Sequence, residues 1–259
     1  MKFGVCCGFD KTEMIAGLGY DYIEGHVTDI AAMSDGEFDA LAEKLEASPI
    51  KCEACCVLFP GSVKVTGPDY DEKKIASYLD GAFARLERLG VESVVFGSGG
   101  ARRVPDGFDR AKAWHQLVKT GRILDEKAGE HGLWIALEPL NVKETNILNL
   151  QMESLDLVRD VDRPRFRILS DFYHLWLGGE GRDEVAACRG VMQHTHIANP
   201  IGRVSLTEND EVSYDGFFAG LADIGYTGRL SFEGNLKDPE TELARTLEIM
   251  KAAARKAGI

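Results

Sequence analysis

Trp134-Ile-Ala-Leu-Glu138 decides how the rest of the chain is read. An apolar run of strand length ends on a carboxylate, and the same punctuation recurs downstream. Phe166-Arg-Ile-Leu-Ser170 runs into Asp171, Met192-Gln-His-Thr-His-Ile-Ala198 carries His196, and Arg229-Leu-Ser-Phe232 runs into Glu233. The spacings are 33 (138 to 171), 25 (171 to 196) and 37 (196 to 233) residues. A strand-loop-helix-loop unit takes roughly 30 residues. Four successive parallel strands would therefore each deliver one ligand to the same rim. Each residue alone could be a solvated loop residue or a satisfied core group; the set of four on consecutive strands carries the argument.

Outward from this stretch, strand-like and helical patterns alternate throughout. The expected strands are Phe3–Cys6, Tyr22–Glu24, Cys52–Leu58, Ser93–Phe96, Trp134–Leu137, Arg167–Ser170, Gln193–Ala198 and Leu230–Phe232. Helices are expected around Lys11–Leu18, Asp35–Ala47, Asp71–Leu89, Asp109–His131, Met152–Val161, Gly181–Cys188, Tyr214–Ile224 and Pro239–Ala254. Ile75, Leu79, Phe83 and Leu86 share one helical stripe. Gly90, Gly132 and Gly225 stand where helix stops are needed before a strand. Strict alternation implies a parallel sheet covered by helices. Eight units in 259 residues close most naturally into an α/β (β/α)₈ TIM barrel, a single domain over residues 1–259. An open doubly wound sheet would want a glycine-rich dinucleotide loop after an early strand. Gly97-Ser-Gly-Gly100 imitates one only in part. It reads better as a tight turn that lets a ligand approach the backbone.

The net charge of −12 argues against a nucleic-acid partner, because duplex binding depends on neutralising phosphates. Arg102-Arg103 is the one compact basic pair near an expected strand end. No apolar run is long enough to span a membrane, and Lys2-Phe-Gly-Val-Cys6 enters a strand with no signal-peptide pattern. A cytoplasmic protein is the expectation. Cys52-x-x-Cys55-Cys56 invites a zinc or redox reading, but no second pair lies at finger spacing. The segment reads instead as a buried strand in which reduced cysteines act as small hydrophobes.

Two Glu, one Asp and one His form a hard, mostly oxygen site suited to one divalent cation: Mn²⁺ first, with Mg²⁺, Co²⁺ or Zn²⁺ as alternatives. His194 and His196 share strand parity. His196 is nearer the rim and is the expected ligand, while His194 is expected one layer down inside the barrel. His174, three residues past Asp171, is expected to orient a substrate oxygen. Glu144 and Asn146 could hydrogen-bond a polyol, and Arg203 offers a fork of donors to a hydroxyl or carboxylate. Trp176 could wall the pocket; Trp134 is expected in the core.

Glu-Pro-Leu-Asn with a later Glu, then Asp-x-x-His, His-x-His-Ile-Ala and Ser-Phe-Glu together resemble the xylose-isomerase-like barrel superfamily. Within it the pattern is most similar to the branch of ketose 3-epimerases and hydroxypyruvate isomerase. The resemblance is loose over the whole chain and good over residues 134–235. It implies that Glu138, Asp171, His196 and Glu233 ligate the metal, with Glu138 and Glu233 also carrying protons. It further implies that Glu144, His174 and Arg203 contact substrate. Three departures stand out. Asn199 replaces an Asp, Arg203 lies one residue further from His196 than expected, and Phe172-Tyr173 brings two large aromatics.

The residue types imply proton abstraction beside a carbonyl through an enediolate stabilised by the metal. Return of the proton to the same carbon makes an epimerase, and return to its neighbour an isomerase. The expected partner is a small sugar or keto acid, unphosphorylated for want of a late glycine-rich phosphate loop. A homo-oligomer is compatible with the resemblance. A dehydratase on a related keto-polyol is the alternative. An abasic-site-type phosphodiesterase would need further His and Asp ligands, and a barrel that only binds sugar or metal would leave the intact ligand set without purpose.

Overall fold

The computed structural model describes residues 1–207 and 211–259. Eight strands form one closed, wholly parallel barrel in chain order. They are β1 Lys2–Cys6, β2 Tyr22–His26, β3 Lys51–Cys56, β4 Ser93–Phe96, β5 Trp134–Leu137, β6 Phe166–Asp171, β7 Met192–Ile197 and β8 Arg229–Phe232. The helices are α1 Thr12–Gly17, α2 Val27–Ala32, α3 Asp35–Ala47, α4 Glu72–Arg88, α5 Gly99–Arg102, α6 Arg110–Glu130, α7 Gln151–Val161, α8 Phe172–Gly178, α9 Arg182–Ala187, α10 Asp215–Asp223 and α11 Pro239–Ala257. Among the described residues, no helix is long and apolar enough to cross a membrane.

Every expected strand is present, with shifted ends. β3 stops at Cys56 rather than Leu58, because Val57 turns to φ 52° and breaks the extended run. β2 continues two residues past Glu24 to His26. Three short helices at the rim, α2, α5 and α8, were not expected. Each is four to seven residues long, too short for helical periodicity to show. Helix starts follow capping chemistry. Ser34 makes a reciprocal capping box with Glu37, and Asp71 accepts from the Lys73 and Lys74 amides.

Two apolar compartments result. The larger lies between strands and helices; Cys52 and Cys55 are buried in it as ordinary core groups, their sulfurs 3.6 Å apart. The smaller lies inside the barrel, where Cys56, Val95, Ala136 and Leu169 pack with Cys6. The rest of the interior is polar. Gly4 makes room for Tyr22, whose ring a β-carbon at Gly4 would meet at 2.3 Å. At the barrel floor Glu53 accepts from Lys2 Nζ and Arg229 Nε, each at 2.7 Å, and Arg229 also reaches Glu92 at 2.6 Å. Trp134 starts β5 half-buried, with the Arg165 and Arg167 guanidinium groups 5.0 and 4.5 Å from its ring centre. It is thus a stacking platform outside the apolar core.

Candidate metal centre and substrate pocket

The carboxyl ends of β5 to β8 converge as the spacing predicted. One ligand atom each from Glu138, Asp171, His196 and Glu233 lies within 4.8 Å of all the others. His196 Nδ1 stands 3.3 Å from Glu138 Oε1 and 3.1 Å from Glu233 Oε2. Glu138 Oε1, Asp171 Oδ2 and His196 Nδ1 are buried and make no hydrogen bond. Buried polar atoms are normally satisfied. Three orphaned electron-pair donors aimed at one point are what a cation would satisfy, so the donor set fits a hard divalent ion.

Local structure explains how each atom is presented. Asp171 ends β6 and also caps α8, its Oδ1 accepting from the Tyr173 amide at 2.9 Å. One carboxylate oxygen is anchored and the other faces the centre. Glu138 follows β5 directly, and Gly97 makes room for it: a β-carbon at Gly97 would sit 2.3 Å from Glu138 Oε2. A β-carbon at Gly99 would meet the Glu144 carbonyl oxygen at 2.8 Å. Gly97-Ser-Gly-Gly100 is therefore a spacer for the neighbouring loop. Ser98, at φ 35°, uses its hydroxyl to accept from the Phe59 amide.

His196 is the rim histidine, and its orientation is set by a residue the sequence reading passed over. Glu24 on β2 is completely buried. It accepts from His196 Nε2 at 3.0 Å, His194 Nε2 at 2.7 Å and Ser231 Oγ at 2.5 Å, and Ser231 meets the Tyr22 hydroxyl at 2.7 Å. With Nε2–H held by Glu24, the His196 Nδ1 lone pair is left facing the centre. His194 lies one layer down, as expected, on the same carboxylate. A register shift in the β2–β3 pairing falls at Ile23/Glu24, the kind of irregularity that re-aims a side chain. A carboxylate in the middle of Tyr22-Ile-Glu-Gly-His26 was the available signal, since a buried Glu needs partners.

The electrostatics follow from crowding. Burial pushes Asp171 up to about 7, against the pull of Arg203 and with Glu138 and Glu233 adding to the rise. Burial also raises Glu138. Burial would raise Glu233 too, but His196 and Arg203 outweigh it and bring it down to about 2. Burial opposes the imidazolium of His196, yet Glu24 and Glu233 outweigh it and raise its pKa. The same two imidazoles, His196 and His194, overcome burial to lower Glu24.

The expected substrate contacts lie beside the centre. His174 Nδ1 accepts from the Asn141 amide at 3.0 Å, which leaves Nε2 as the N–H. Burial drives its pKa down to about 3, so the ring is neutral, and Nε2 stands 3.6 Å from Asp171 Oδ2 with no hydrogen bond. Arg203 is well partnered. It donates to Glu233 Oε2 at 2.7 Å and Glu144 Oε1 at 3.4 Å, and lies 4.7 Å over the Tyr173 ring. The backbone is left-handed at Gly202 (φ 91°) and at Arg203 itself (φ 51°). Asn199 pins this loop, accepting from the Ile201 amide and donating to Thr207 Oγ1.

Several expectations are corrected. The Asn146 side-chain amide is spent on both backbone groups of Val104, each at 2.9 Å. The Arg102-Arg103 pair is no exposed basic patch: Arg102 is fully buried, bonded to the Phe96 and Leu148 carbonyls, and burial lowers it to about 10. Trp176 on α8 is 43% exposed, which does not suit an enclosed sugar wall.

Comparison with known proteins places the fold. The family model described as xylose isomerase-like TIM barrel matches residues 13–253. The chain belongs to that family. This xylose isomerase-like barrel is 33% identical over 244 residues to an L-ribulose 3-epimerase of Methylomonas sp., covering 90% of the chain and 80% of the relative. It is 30% identical over 133 residues to a 2-oxo-tetronate isomerase of Haemophilus influenzae, a match spanning about half of each chain (50% and 51%). The solved D-psicose 3-epimerase of Clostridium cellulolyticum H10 with D-tagatose shares its fold, with TM-score 0.87 at 18% identity over 98% of this chain and 99% of that one. These relatives are named as epimerases and isomerases, and the xylose isomerase-like barrel described here belongs with them as an enzyme.

Proposed function

We propose that this barrel is a divalent-metal-dependent epimerase or isomerase of ketoses or related keto-polyols, working by proton abstraction beside a carbonyl. The observation that carries the reading is the convergence of Glu138, Asp171, His196 and Glu233, with three buried donor atoms left unpaired. These four would hold the ion, Mn²⁺ before Mg²⁺, Co²⁺ or Zn²⁺. When bound, it supplies Lewis-acid stabilisation for negative charge building on substrate oxygens.

The chain's own groups do the rest. Glu138 and Glu233 come from β5 and β8, which are not neighbours in the barrel, so their carboxylates approach a bound ketose from different directions. One takes the proton from carbon and the other returns one. General acid-base catalysis of this kind is typically worth about 10²–10⁴ in rate. The neutral His174 offers Nε2–H to a substrate oxygen. Arg203 holds Glu233 in place and, with Glu144, presents polar groups to hydroxyls further along the chain. Glu24 fixes the tautomer of His196.

A ketose epimerised at the carbon beside its carbonyl is favoured by the long match to the L-ribulose 3-epimerase. The half-length match to a 2-oxo-tetronate isomerase favours proton return to the neighbouring carbon as the second reading. Nothing in the kinship favours the dehydratase. The test is incubation of EDTA-treated protein with L-ribulose, D-psicose and D-tagatose, with and without Mn²⁺, followed by sugar chromatography. Mn²⁺-dependent conversion, lost in both Glu138→Gln and Glu233→Gln, supports the reading. Conversion that survives either substitution refutes the two-carboxylate mechanism.

A further inference from the structure

Next to the four-residue centre lie two thiols that the mechanism does not use, grouped with one of the carboxylates that it does. Cys6 Sγ, Cys56 Sγ and a Glu233 carboxylate oxygen all lie within 4.8 Å of one another. Cys6 Sγ is also within 4.8 Å of ligand atoms of Glu24 and His196. Cys6 ends β1 and Cys56 ends β3. Both thiols line the same interior compartment and are reduced. Cys56 Sγ stands 3.7 Å from the Gly25 carbonyl and also interacts with the His26 imidazole and the Cys6 thiol. Cys6 is half-buried, Cys56 is buried and the Glu233 side chain is 25% exposed.

We propose that Cys6, Cys56 and Glu233 form a second cation site, specific for a thiophilic divalent ion such as Zn²⁺ or Cd²⁺, that shares Glu233 with the oxygen-rich centre. Two sulfurs and a carboxylate make a soft-to-borderline donor set, whereas the first centre suits harder ions. Tetrahedral zinc with Zn–S near 2.3 Å places its ligand atoms about 3.5–3.8 Å apart. Atoms no more than 4.8 Å apart need to draw in by at most about 1.3 Å, within side-chain rotation for residues at strand ends. Binding converts each thiol to a thiolate and releases its proton to solvent, so charge and atoms balance. The site puts a thiophilic ion in competition for the Glu233 carboxylate. That consequence for turnover rests on the proposed epimerase reading; the binding itself does not.

The experiment is a Cd²⁺ titration of the EDTA-treated full-length chain, followed by thiolate-to-cadmium charge-transfer absorption in the ultraviolet. The expected result is a band that saturates at one Cd²⁺ per chain. It should be lost in Cys6→Ser, Cys6→Ala and Cys56→Ser and kept in Cys52→Ser and Cys188→Ser, with Cd²⁺ affinity down at least about tenfold in Glu233→Gln. Circular dichroism on each variant separates loss of the site from loss of the fold. Absence of the band at stoichiometric Cd²⁺ overturns the proposal. So does a band that survives Cys6→Ser but vanishes in Cys52→Ser, which would assign it to the Cys52–Cys55 pair. Mn²⁺-dependent sugar conversion is measured on the same samples without Cd²⁺, so failure of the thiol site and failure of the epimerase reading are seen separately.

Discussion

Glu24→Gln tests how the barrel interior supports its rim. The substitution keeps the shape of the side chain and removes one acceptor oxygen. In the native protein the carboxylate accepts from His194, His196 and Ser231 at 2.7, 3.0 and 2.5 Å. A glutamine offers one oxygen and an NH₂ group, which cannot accept. At least one imidazole N–H therefore loses its partner or its ring switches tautomer, placing the proton on Nδ1. If His196 switches, its metal-facing lone pair is gone. An unsatisfied buried donor costs about 1–3 kcal/mol. Removing the group that orients a ligating histidine typically weakens metal binding by about 10–100-fold, or roughly 1.4–2.8 kcal/mol. The assay is titration with Mn²⁺, reading free ion by electron paramagnetic resonance, alongside thermal unfolding of the metal-free protein. A folded Glu24→Gln protein that binds Mn²⁺ within about twofold of the wild type would refute the argument, because the expected loss is at least tenfold.

Three further outcomes follow from the same structure. His194→Ala leaves a cavity and strips one donor from Glu24; it should lower stability by about 2–4 kcal/mol in denaturant unfolding while Mn²⁺ stoichiometry stays at one per chain. Gly97→Ala drives a methyl group against Glu138 Oε2, 2.3 Å away, and should weaken Mn²⁺ at least about tenfold by calorimetry with little change in the unfolding midpoint. At the barrel floor, burial alone would raise Glu53, but hydrogen bonds from Lys2 and Arg229 outweigh it and lower its pKa below the ordinary 4.5. A carboxylate with a lowered folded-state value stabilises the protein above 4.5, and that stabilisation is lost as pH falls below it. Glu53→Gln should therefore destabilise the protein at neutral pH and flatten the fall in stability below that point; an unchanged slope in acid denaturation would contradict the assignment.

The barrel was legible because eight strand-length apolar runs alternate with helical stripes, and because four of the runs end on metal-compatible residues. Glu138, Asp171, His196 and Glu233 meet where that spacing required. The rim helices α2, α5 and α8 were not legible, since four to seven residues hold too few turns for a periodic signal. Glu24 was missed because its role depends on which strand closes the barrel beside which: β1 separates β2 from β8, and only closure brings Glu24 to Ser231 on β8 and the histidines of β7. Asn146 and Arg102 look polar and available in the sequence. Two of their partners, the Val104 backbone for Asn146 and the Leu148 carbonyl for Arg102, lie more than 40 residues away, where only the fold brings them near. In the sequence Gly97 and Gly99 look like a turn; the fold shows them as space kept for Glu138 and Glu144.

The central claim is that Glu138 and Glu233 move a carbon-bound proton beside a carbonyl in a metal-dependent site. Proton NMR of L-ribulose, D-psicose and 2-oxo-tetronate in D₂O, with EDTA-treated protein and then with added Mn²⁺, tests it most directly. The account predicts Mn²⁺-dependent deuterium uptake at the carbon next to the carbonyl of at least one of these, absent in Glu138→Gln and Glu233→Gln. Conversion without any uptake of solvent deuterium, or uptake that persists in both variants, would contradict it.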